Sequence, residues 1–322
     1  MTIPAVTRRA LGVLGLGLAA PALAQQPARI IRFVVPWAPG GLNDLIARAF
    51  NDRVSRVLGQ TIVNDFKPGA GGRIGVAEVA RAAPDGLTIG MGNLGPLTIF
   101  PNLYRDMPFD VARDLAPIMM FAASPLVLVV EKDFPARTLA DLVAMAKARP
   151  GRMNYASIGI GSAQHLIFEM LRGQDGVEME HVPYRGSGDS IIALLQNDVQ
   201  AMFDTLPSML PLLRDGRYRA LAVTTPDRVP QLPDVPTLKE TGLDIDVATW
   251  YAVIAPARTP EPVLASLYDA YTRVSLQPEM QGFLAEQGLI YLPNTRAEFA
   301  ARIAAETARW GQIIRDRRIS VT

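Results

Sequence analysis

Short apolar runs alternate along this chain with longer stretches in which apolar residues recur every three or four positions. Runs rich in Val and Ile are typical of buried strands, and the longer recurrence is that of an amphipathic helix. The pattern predicts strands over residues 30–35, 61–66, 87–91, 125–130, 154–157, 179–183, 201–204, 220–224 and 247–255. It predicts helices over residues 42–58, 74–83, 139–148, 162–173, 187–196, 262–276, 279–286 and 296–315. Such alternation is typical of α/β domains with a parallel sheet and helices on both faces.

The pattern predicts two α/β domains and two positions at which the chain crosses from one domain to the other. One lies near residues 124–126, at the start of a strongly apolar run, and the other lies near residues 248–251. The chain is long enough for two domains of ordinary size. The predicted bounds are 25–124 together with 250–322 for a discontinuous first domain, and 125–249 for the second.

Residues 1–24 have the pattern of a secretory signal peptide. Arg8 and Arg9 precede an apolar run over residues 10–20, and an Ala-x-Ala cleavage signal ends at Ala24. The run is shorter than a bilayer requires, which argues against the alternative of an N-terminal membrane anchor. Adjacent arginines also occur in twin-Arg signals, so export by the Sec or the Tat route stays open. We expect cleavage near Ala24 and a mature protein in the periplasm.

The charge balance and the rare residue types exclude several classes of function. The 322 residues include 32 Lys and Arg, 31 Asp and Glu, two His and no Cys. Loss of two arginines with the signal peptide changes the formal net charge from +1 to about −1, and no basic stripe suggests a nucleic-acid partner. The absence of cysteine excludes thiol chemistry, and no residues have metal-ligand spacing. We therefore expect neither a metal nor a cofactor.

A glycine-rich turn separates a predicted strand from the next helix at two places. The first turn follows the strand over 30–35, and the second follows the strand over 154–157. Such a turn aims backbone N–H groups and the positive end of a helix dipole at one point, which suits an anion. Since both turns lie at the carboxyl ends of strands, we expect them to face a common cleft. They supply the candidate binding residues Trp37, Ala38, Pro39, Gly40, Gly41, Asn43, Asp44, Ser157, Gly159, Gly161, Ser162 and His165.

Several candidates also have an ordinary structural interpretation. Asp44 either stabilises the first turn of its helix or contacts a ligand amine, hydroxyl or water, because a bare carboxylate repels an anion. Ser162 suits an N-cap, although its hydroxyl can also donate to a carboxylate. A lone helical histidine such as His165 is more often structural; if it faces the cleft, binding depends on pH near about 6.5. Tyr184, beside a third glycine-rich helix start, is a candidate for closing over the ligand.

Catalytic motifs do not accompany these turns. The second turn, with Gly159 and Gly161, lacks the third glycine of a dinucleotide fingerprint, and no acidic residue ends a strand about twenty residues further on. Neither a G-x-S-x-G elbow nor a Walker A motif occurs. We expect no nucleophile–base pair beside the turns, so the sequence predicts a binding protein and not an enzyme.

Seven short motifs occur in order over the mature chain: PWAPGGLND at 36–44, KPGAGG at 67–72, PDG at 84–86, NYASIGIGSAQHL at 154–166, HVPYRG at 181–186, RALAVT at 219–224 and LPDVPT at 232–237. Each motif is weak alone, but the ordered set closely resembles the Bug family. These are the TctC-type extracytoplasmic solute-binding receptors of tripartite tricarboxylate transporters.

The resemblance implies a two-lobed type II periplasmic-binding-protein fold, with a hinge of two crossings, that closes like a flytrap on a small carboxylate. Family members hold one ligand carboxylate with backbone amides of the two glycine-rich turns, and an acidic residue at the position of Asp204 organises waters nearby. They deliver the ligand to a two-component membrane permease, the partner we expect for a monomeric receptor. Receptors of this kind can instead present their ligand to a membrane histidine kinase, and the sequence does not separate the two roles.

The stretch after the third predicted strand, residues 92–100, departs from the family pattern. Family members often carry a small-polar-His stretch there that lines the pocket, whereas this chain is more apolar and has no histidine there. Asn93 and Gly95 are the candidates for ligand contact in this stretch. Leu94 and Leu97 predict an apolar pocket wall, which is compatible with an aromatic or alkyl carboxylate.

Overall fold

A computed structural model describes residues 30–321, so the predicted signal peptide and its cleavage site lie outside the described residues. The strands are β1 (Ile31–Val35), β2 (Ile62–Phe66), β3 (Thr88–Asn93), β4 (Leu115–Glu131), β5 (Asn154–Ser157), β6 (Glu180–Pro183), β7 (Ala201–Thr205), β8 (Tyr218–Val223) and β9 (Ala248–Pro256). The α-helices are α1 (Leu42–Leu58), α2 (Arg73–Arg81), α3 (Phe100–Leu103), α4 (Val111–Asp114), α5 (Leu139–Ala148), α6 (Ala163–Asp175), α7 (Ser187–Leu195), α8 (Leu206–Arg214), α9 (Glu261–Ser275), α10 (Pro278–Glu286) and α11 (Arg296–Asp316).

The strands of the described range form one mixed sheet in the order β2-β1-β3-β9-β4-β7-β5-β6, with β8 paired to β4. β1 runs parallel to β2 and β3, and β5 runs parallel to β6 and β7, as the strand–helix alternation predicts. The centre of the sheet is antiparallel, which the alternation does not predict: β9 is antiparallel to β3 and β4, and β4 is antiparallel to β7 and β8. The cause is that β4 and β9 carry the chain between the two halves in opposite directions.

β4 is a strand of 17 residues that runs through both halves of the sheet. It pairs with β9 as far as Pro125, and from Leu126 onward it pairs with β7, with β8 joining one residue later. All but one of its residues are buried. The strand is much longer than the run over 125–130 that the sequence predicts. The change of partner coincides with the first predicted crossing, while the domain bounds themselves stay a prediction.

Apolar cores hold helices onto both faces of the sheet. Because neighbouring strand residues point to opposite faces, Phe33 and Val34 belong to different cores. The first core packs α1, α9 and α10 against the sheet around Phe50 and Tyr271, and the second contains the fully buried Trp310 of α11. A third core lies under α7 and α8. This packing fixes the strand ends at which the glycine-rich turns begin.

Local sequence explains where most of the helices begin and end. Gly59, in the left-handed conformation with φ 65°, ends α1 because glycine has no Cβ to clash there. Thr138 caps α5 in a reciprocal capping box with Asp141, and its hydroxyl accepts the Asp141 N–H at 3.1 Å. The bounds predicted for α1, α5 and β5 agree with the structure.

Some elements were not predicted. Leu206–Arg214 forms α8 although Pro207 stands in its first turn and Pro211 inside it, and prolines argue against a helix interior. A π-helical turn over Gly95–Ile99 leads directly into α3, where the sequence predicts no element. Within residues 30–321, no helix has both the length and the apolar character needed to cross a bilayer.

Candidate functional site

A cavity of about 720 Å³ opens at the carboxyl ends of β1, β3 and β5, and both glycine-rich turns reach it. The predicted binding residues that line it are Trp37, Asn43, Asn93, Gly95, Gly159, Gly161 and Ser162. The other candidates do not line it: Ala38, Pro39, Gly40 and Gly41 are exposed, Tyr184 is half-buried, and Asp44, Ser157, His165 and Asp204 are buried behind the turns.

The first turn is held from behind by the carboxylate of Asp44. Its Oδ2 accepts the Gly40 N–H at 2.8 Å, and its Oδ1 accepts the Arg48 Nε–H at 2.5 Å. Gly40 has φ 87°, which favours glycine because a Cβ is strained there. No side chain caps α1, whose N-cap is Gly41. The first amides of α1 therefore stay free to bind a ligand.

Asn43 and Asn93 line the cavity, but their amide oxygens are buried beside it. Within the described part of the chain, the Oδ1 atom of each has no hydrogen-bond partner. A buried acceptor without a donor is costly, so such atoms usually bind water or a ligand group. Asn93 ends β3 directly beside Tyr251 of β9, which also lines the cavity.

The second turn is tied together by hydrogen bonds behind the cavity. The Ser157 hydroxyl accepts the Gly159 N–H at 3.1 Å and donates to the Gly159 carbonyl at 3.0 Å. The Ser162 hydroxyl caps α6 by accepting the His165 N–H at 3.3 Å. These bonds leave the amides of Ala163 and Gln164 without a partner in the described chain, and both residues line the cavity. The free end of α6 therefore faces the cavity.

Both histidines of the chain lie behind this second turn. The Nδ1 atom of His165, in the first turn of α6, accepts the N–H of Gly161 in the preceding turn at 3.0 Å. Burial lowers the pKa of His165 to about 3, with a smaller contribution from His181, and lowers the pKa of His181 to about 4. His165 therefore has the structural placement that is more common for a lone helical histidine, and it is neutral near pH 7.

Asp204 is a fully buried carboxylate near the floor of the cavity. Its Oδ1 accepts hydrogen bonds from the Ser187 hydroxyl at 3.0 Å and from the Thr205 N–H at 2.6 Å. Within residues 30–321, no donor lies at a suitable distance and angle to bond its Oδ2. Burial raises the pKa of Asp204 to about 6, and interactions with Ser187, Thr205 and Gln164 oppose this rise in part. Thr205 and Gln164 both line the cavity, so Asp204 lies one residue layer behind it.

A serine and a histidine that are 24 residues apart in the sequence meet beside the second turn. Ser157 Oγ lies 2.6 Å from His181 Nε2, which corrects the expectation that no such pair occurs there. Ser157 is fully buried, its hydroxyl also bonds Gly159, and it does not line the cavity. His181 does not line the cavity either, so the pair lies behind the turn. Within the described residues, no group of His, Asp or Glu is arranged to hold a metal ion.

The cavity wall contains residues that the sequence analysis missed. Thr249 and Tyr251 on β9 and Thr205 at the end of β7 were strand positions with polar side chains, which was the available signal. Tyr104 lines the cavity with the Arg73 guanidinium 3.6 Å from its ring centroid. Further lining residues are Gly71, Leu94, Pro96, Ile99, Phe100, Ile158, Ile160, Ala163, Gln164, Pro183 and Val321.

The apolar wall predicted from Leu94 and Leu97 is only half present. Leu94 lines the cavity, whereas Leu97 is fully buried and lines a separate cavity of about 680 Å³. That second cavity lies against α11, beside Ile303 and Thr307, and neither glycine-rich turn reaches it. Leu97 lies within the π-helical turn over Gly95–Ile99, whereas Leu94 is the residue that precedes it. We therefore take the cavity at the two turns as the candidate site.

An α/β fold with one mixed sheet and a cavity between two glycine-rich turns is the architecture of a periplasmic solute-binding protein. The model of the tripartite tricarboxylate transporter family receptor, TctC, matches residues 46–319, and the chain belongs to this family. The resemblance stated from the motifs and the predicted fold class are both confirmed. The family is one of solute-binding receptors.

Individual relatives cover nearly the whole chain. Protein BugT of Bordetella pertussis is 36% identical over 318 residues, which are 96% of this chain and 97% of the relative. The structure of R. palustris Rpa4515 with adipate has a TM-score of 0.81 and 33% identity, and covers 92% of this chain and 99% of that one. MatC from Rhodopseudomonas palustris with bound malate has a TM-score of 0.76 and 30% identity, and covers 89% of this chain and 99% of that one.

Proposed function

We propose that this chain is a periplasmic receptor that holds one carboxylate of a small organic acid between the N-termini of α1 and α6. The convergence of these two helix N-termini on one cavity is the observation that carries the proposal. Each N-terminus offers unpaired amides and the positive end of a helix dipole, which stabilise an anion. Among the described residues lining the cavity none is Lys or Arg, so amides and dipoles supply the positive field.

Two solved relatives support an acid as the ligand, since one structure is with adipate and the other with bound malate. The cavity, at about 720 Å³, falls within the usual range for small-molecule sites. Apolar side chains such as Leu94, Phe100 and Ile158 line it between the polar groups. We therefore propose an acid whose body is alkyl or aromatic, with one carboxylate at the two turns.

The predicted site residues take different parts in this proposal. Those that line the cavity contact the ligand directly. Asp44, Ser157, His165 and Asp204 act through the two turns or through waters, because their side chains are buried behind the wall. The remaining positions neither line the cavity nor are buried: Ala38, Pro39, Gly40, Gly41 and Tyr184. In this proposal they contact the ligand when the two lobes close further.

The transport role extends the family assignment to partners and export. The family description names a tripartite tricarboxylate transporter, and we propose its membrane permease subunits as the partner that receives the ligand. The chain acts as a monomer of two lobes, 25–124 with 250–322 and 125–249. Export uses a Sec or Tat signal peptide that is cleaved near Ala24.

A matched pair of N-cap substitutions tests the proposed anion grip. Ser162→Asp keeps a good N-cap on α6 but adds a negative charge at the cavity, so the affinity for a carboxylate should fall at least tenfold. Thr138→Asp makes the same type of change at the N-cap of α5, which does not line the cavity, and should leave affinity unchanged. Isothermal titration calorimetry measures both, with urea unfolding as the stability check.

The free energy of unfolding of each variant should lie within about 1 kcal/mol of the wild-type value, because Asp is at least as good an N-cap as Ser or Thr. If Ser162→Asp is folded and binds the acid as tightly as the wild type and Thr138→Asp do, the carboxylate does not lie at the end of α6 and the proposed grip is wrong.

A further inference from the structure

A column of stacked rings supports the second turn from behind. The rings of His165 and His181 lie 3.9 Å apart between centroids and 8° from parallel. Tyr155 stacks on His181 at 5.0 Å and on His165 at 6.4 Å, and Phe168 stacks on Tyr155 at 4.0 Å. The column therefore joins α6, which carries His165 and Phe168, to the neighbouring strands β5 and β6.

The two histidines at the end of this column bond the turn at separate points. His165 Nδ1 accepts the Gly161 N–H at 3.0 Å, and His181 Nε2 lies 2.6 Å from Ser157 Oγ, which in turn bonds the Gly159 N–H. Gly159 and Gly161 have φ values of 129° and 76°, conformations that residues with a Cβ rarely adopt. The histidine and serine bonds, together with the backbone bond from the Ser162 N–H to the Gly159 carbonyl at 3.2 Å, hold the turn in this shape.

We propose that His165 and His181 are positioning residues that fix the second turn so that the free amides at the start of α6 point into the cavity. The proposal rests on the proposed function, since it concerns how the same carboxylate site is held ready. A preformed site loses less entropy when the ligand binds. The histidines act through the turn and do not themselves line the cavity.

The bonds require neutral rings with defined tautomers. An Nδ1 atom that accepts an N–H carries no proton, so the proton of His165 is on Nε2. Because Ser157 Oγ already donates to the Gly159 carbonyl, His181 donates to it from a protonated Nε2. The charged groups around the column are Glu169 and Arg172 on α6 and Glu180 on β6, which act on Tyr155. Two rings stacked this closely would repel each other if both were charged.

The chain has two histidines, so the ring nitrogen signals of the untagged mature protein are assigned by comparison with His165→Phe, which lacks one set. We expect the ¹⁵N shifts of both rings to show an unprotonated Nδ1 and a protonated Nε2 at pH 7. We also expect neither ring to titrate with the ordinary histidine pKa of about 6.5. A protonated Nδ1 on His165, or an ordinary titration, would overturn the proposal.

Substitutions at His165 separate the hydrogen bond from the packing. His165→Phe keeps a stacked ring but removes the acceptor, and we expect at least a tenfold loss of affinity for the bound acid. His165→Asn places an amide oxygen near the Nδ1 position and should bind within about threefold of the wild type. Phe168→Leu, the packing control in the same column, should lose stability without losing affinity. A folded His165→Phe protein that binds like the wild type would contradict the proposal.

Two further readouts keep the test decisive. If His165→Phe does not fold, His165→Gln replaces it, because a glutamine oxygen reaches the Nε2 position and not the Nδ1 position; equal affinities of the Asn and Gln variants would overturn the proposal. If the wild type binds no acid, the proposed function fails, and hydrogen exchange of the Gly161 amide still tests the positioning role. We expect slower exchange in the wild type and His165→Asn than in His165→Gln, and equal rates would count against it.

Discussion

Asp44 and Asp204 are carboxylates beside a site that we propose for an anion, and within residues 30–321 only Asp44 has a cationic partner. Asp44 pairs with the Arg48 guanidinium and accepts the Gly40 N–H, so its carboxylate stabilises the first turn. Asp204 has no cationic partner in the described chain, and burial raises its pKa. The sequence could indicate both as candidates at strand and helix ends. It could not show their partners, because Ser187 approaches Asp204 only after the chain has folded.

Asp204→Asn tests this buried charge through the pH dependence of stability. Because burial raises the pKa of Asp204 from 3.8 to about 6, its contribution to stability is largest below pH 4 and is lost as the pH rises through about 6. A shift of that size corresponds to about 3 kcal/mol. We expect the stability of Asp204→Asn relative to the wild type to increase by about that amount between pH 4 and pH 7.

Urea unfolding at several pH values measures the difference between the two proteins, in which the contributions of other groups cancel. Parallel stability curves for wild type and Asp204→Asn over this pH range would show that the buried carboxyl has an ordinary pKa.

Among the elements, those with local signals could be predicted and those defined by distant contacts could not. α1 follows from its apolar spacing and the glycine that ends it, and α5 from its capping threonine. α8 was missed because its two prolines contradict a helix by local rules, yet its side chains are buried in the third core. The histidine column was missed because its members are spread over β5, α6 and β6.

Gly161 and Gly176 form a matched pair for testing the second turn as an element. Both have a positive φ, 76° and 66°, so alanine should lower the free energy of unfolding by about 1–2 kcal/mol at either position. A Cβ at Gly161 would also lie 2.1 Å from Leu103 Cδ2 of α3, whereas nothing lies within 4 Å of one at Gly176. We expect Gly161→Ala to be less stable than Gly176→Ala by a further 1–3 kcal/mol, typical of overpacking.

Thermal and urea unfolding of the two alanine variants measure this difference, and adding Leu103→Ala should recover part of the loss in Gly161→Ala only. Equal stabilities of the two single variants would mean that α3 and the second turn do not make the close contact seen here.

The whole molecule is two groups of parallel strands joined by β4 and β9, with the cavity at the strand ends. The alternation of strands and helices predicts each group, and the motif order predicts the family. The antiparallel centre was not predicted because a long apolar run does not show where its pairing partner changes. The identity of the ligand was not predicted either, since residues 92–100 depart from the family pattern and place Leu97 elsewhere.

Calorimetric titration of the mature, untagged protein with single carboxylic acids tests the central claim most directly. The panel includes adipate, malate, citrate and benzoate, with the matching amides as uncharged controls. We expect at least one acid to bind and its amide to bind much more weakly. At a concentration of a hundred times its Kd, that acid should raise the free energy of unfolding by about 2.7 kcal/mol. If no acid binds, or if the amides bind as well as the acids, the cavity is not a carboxylate site.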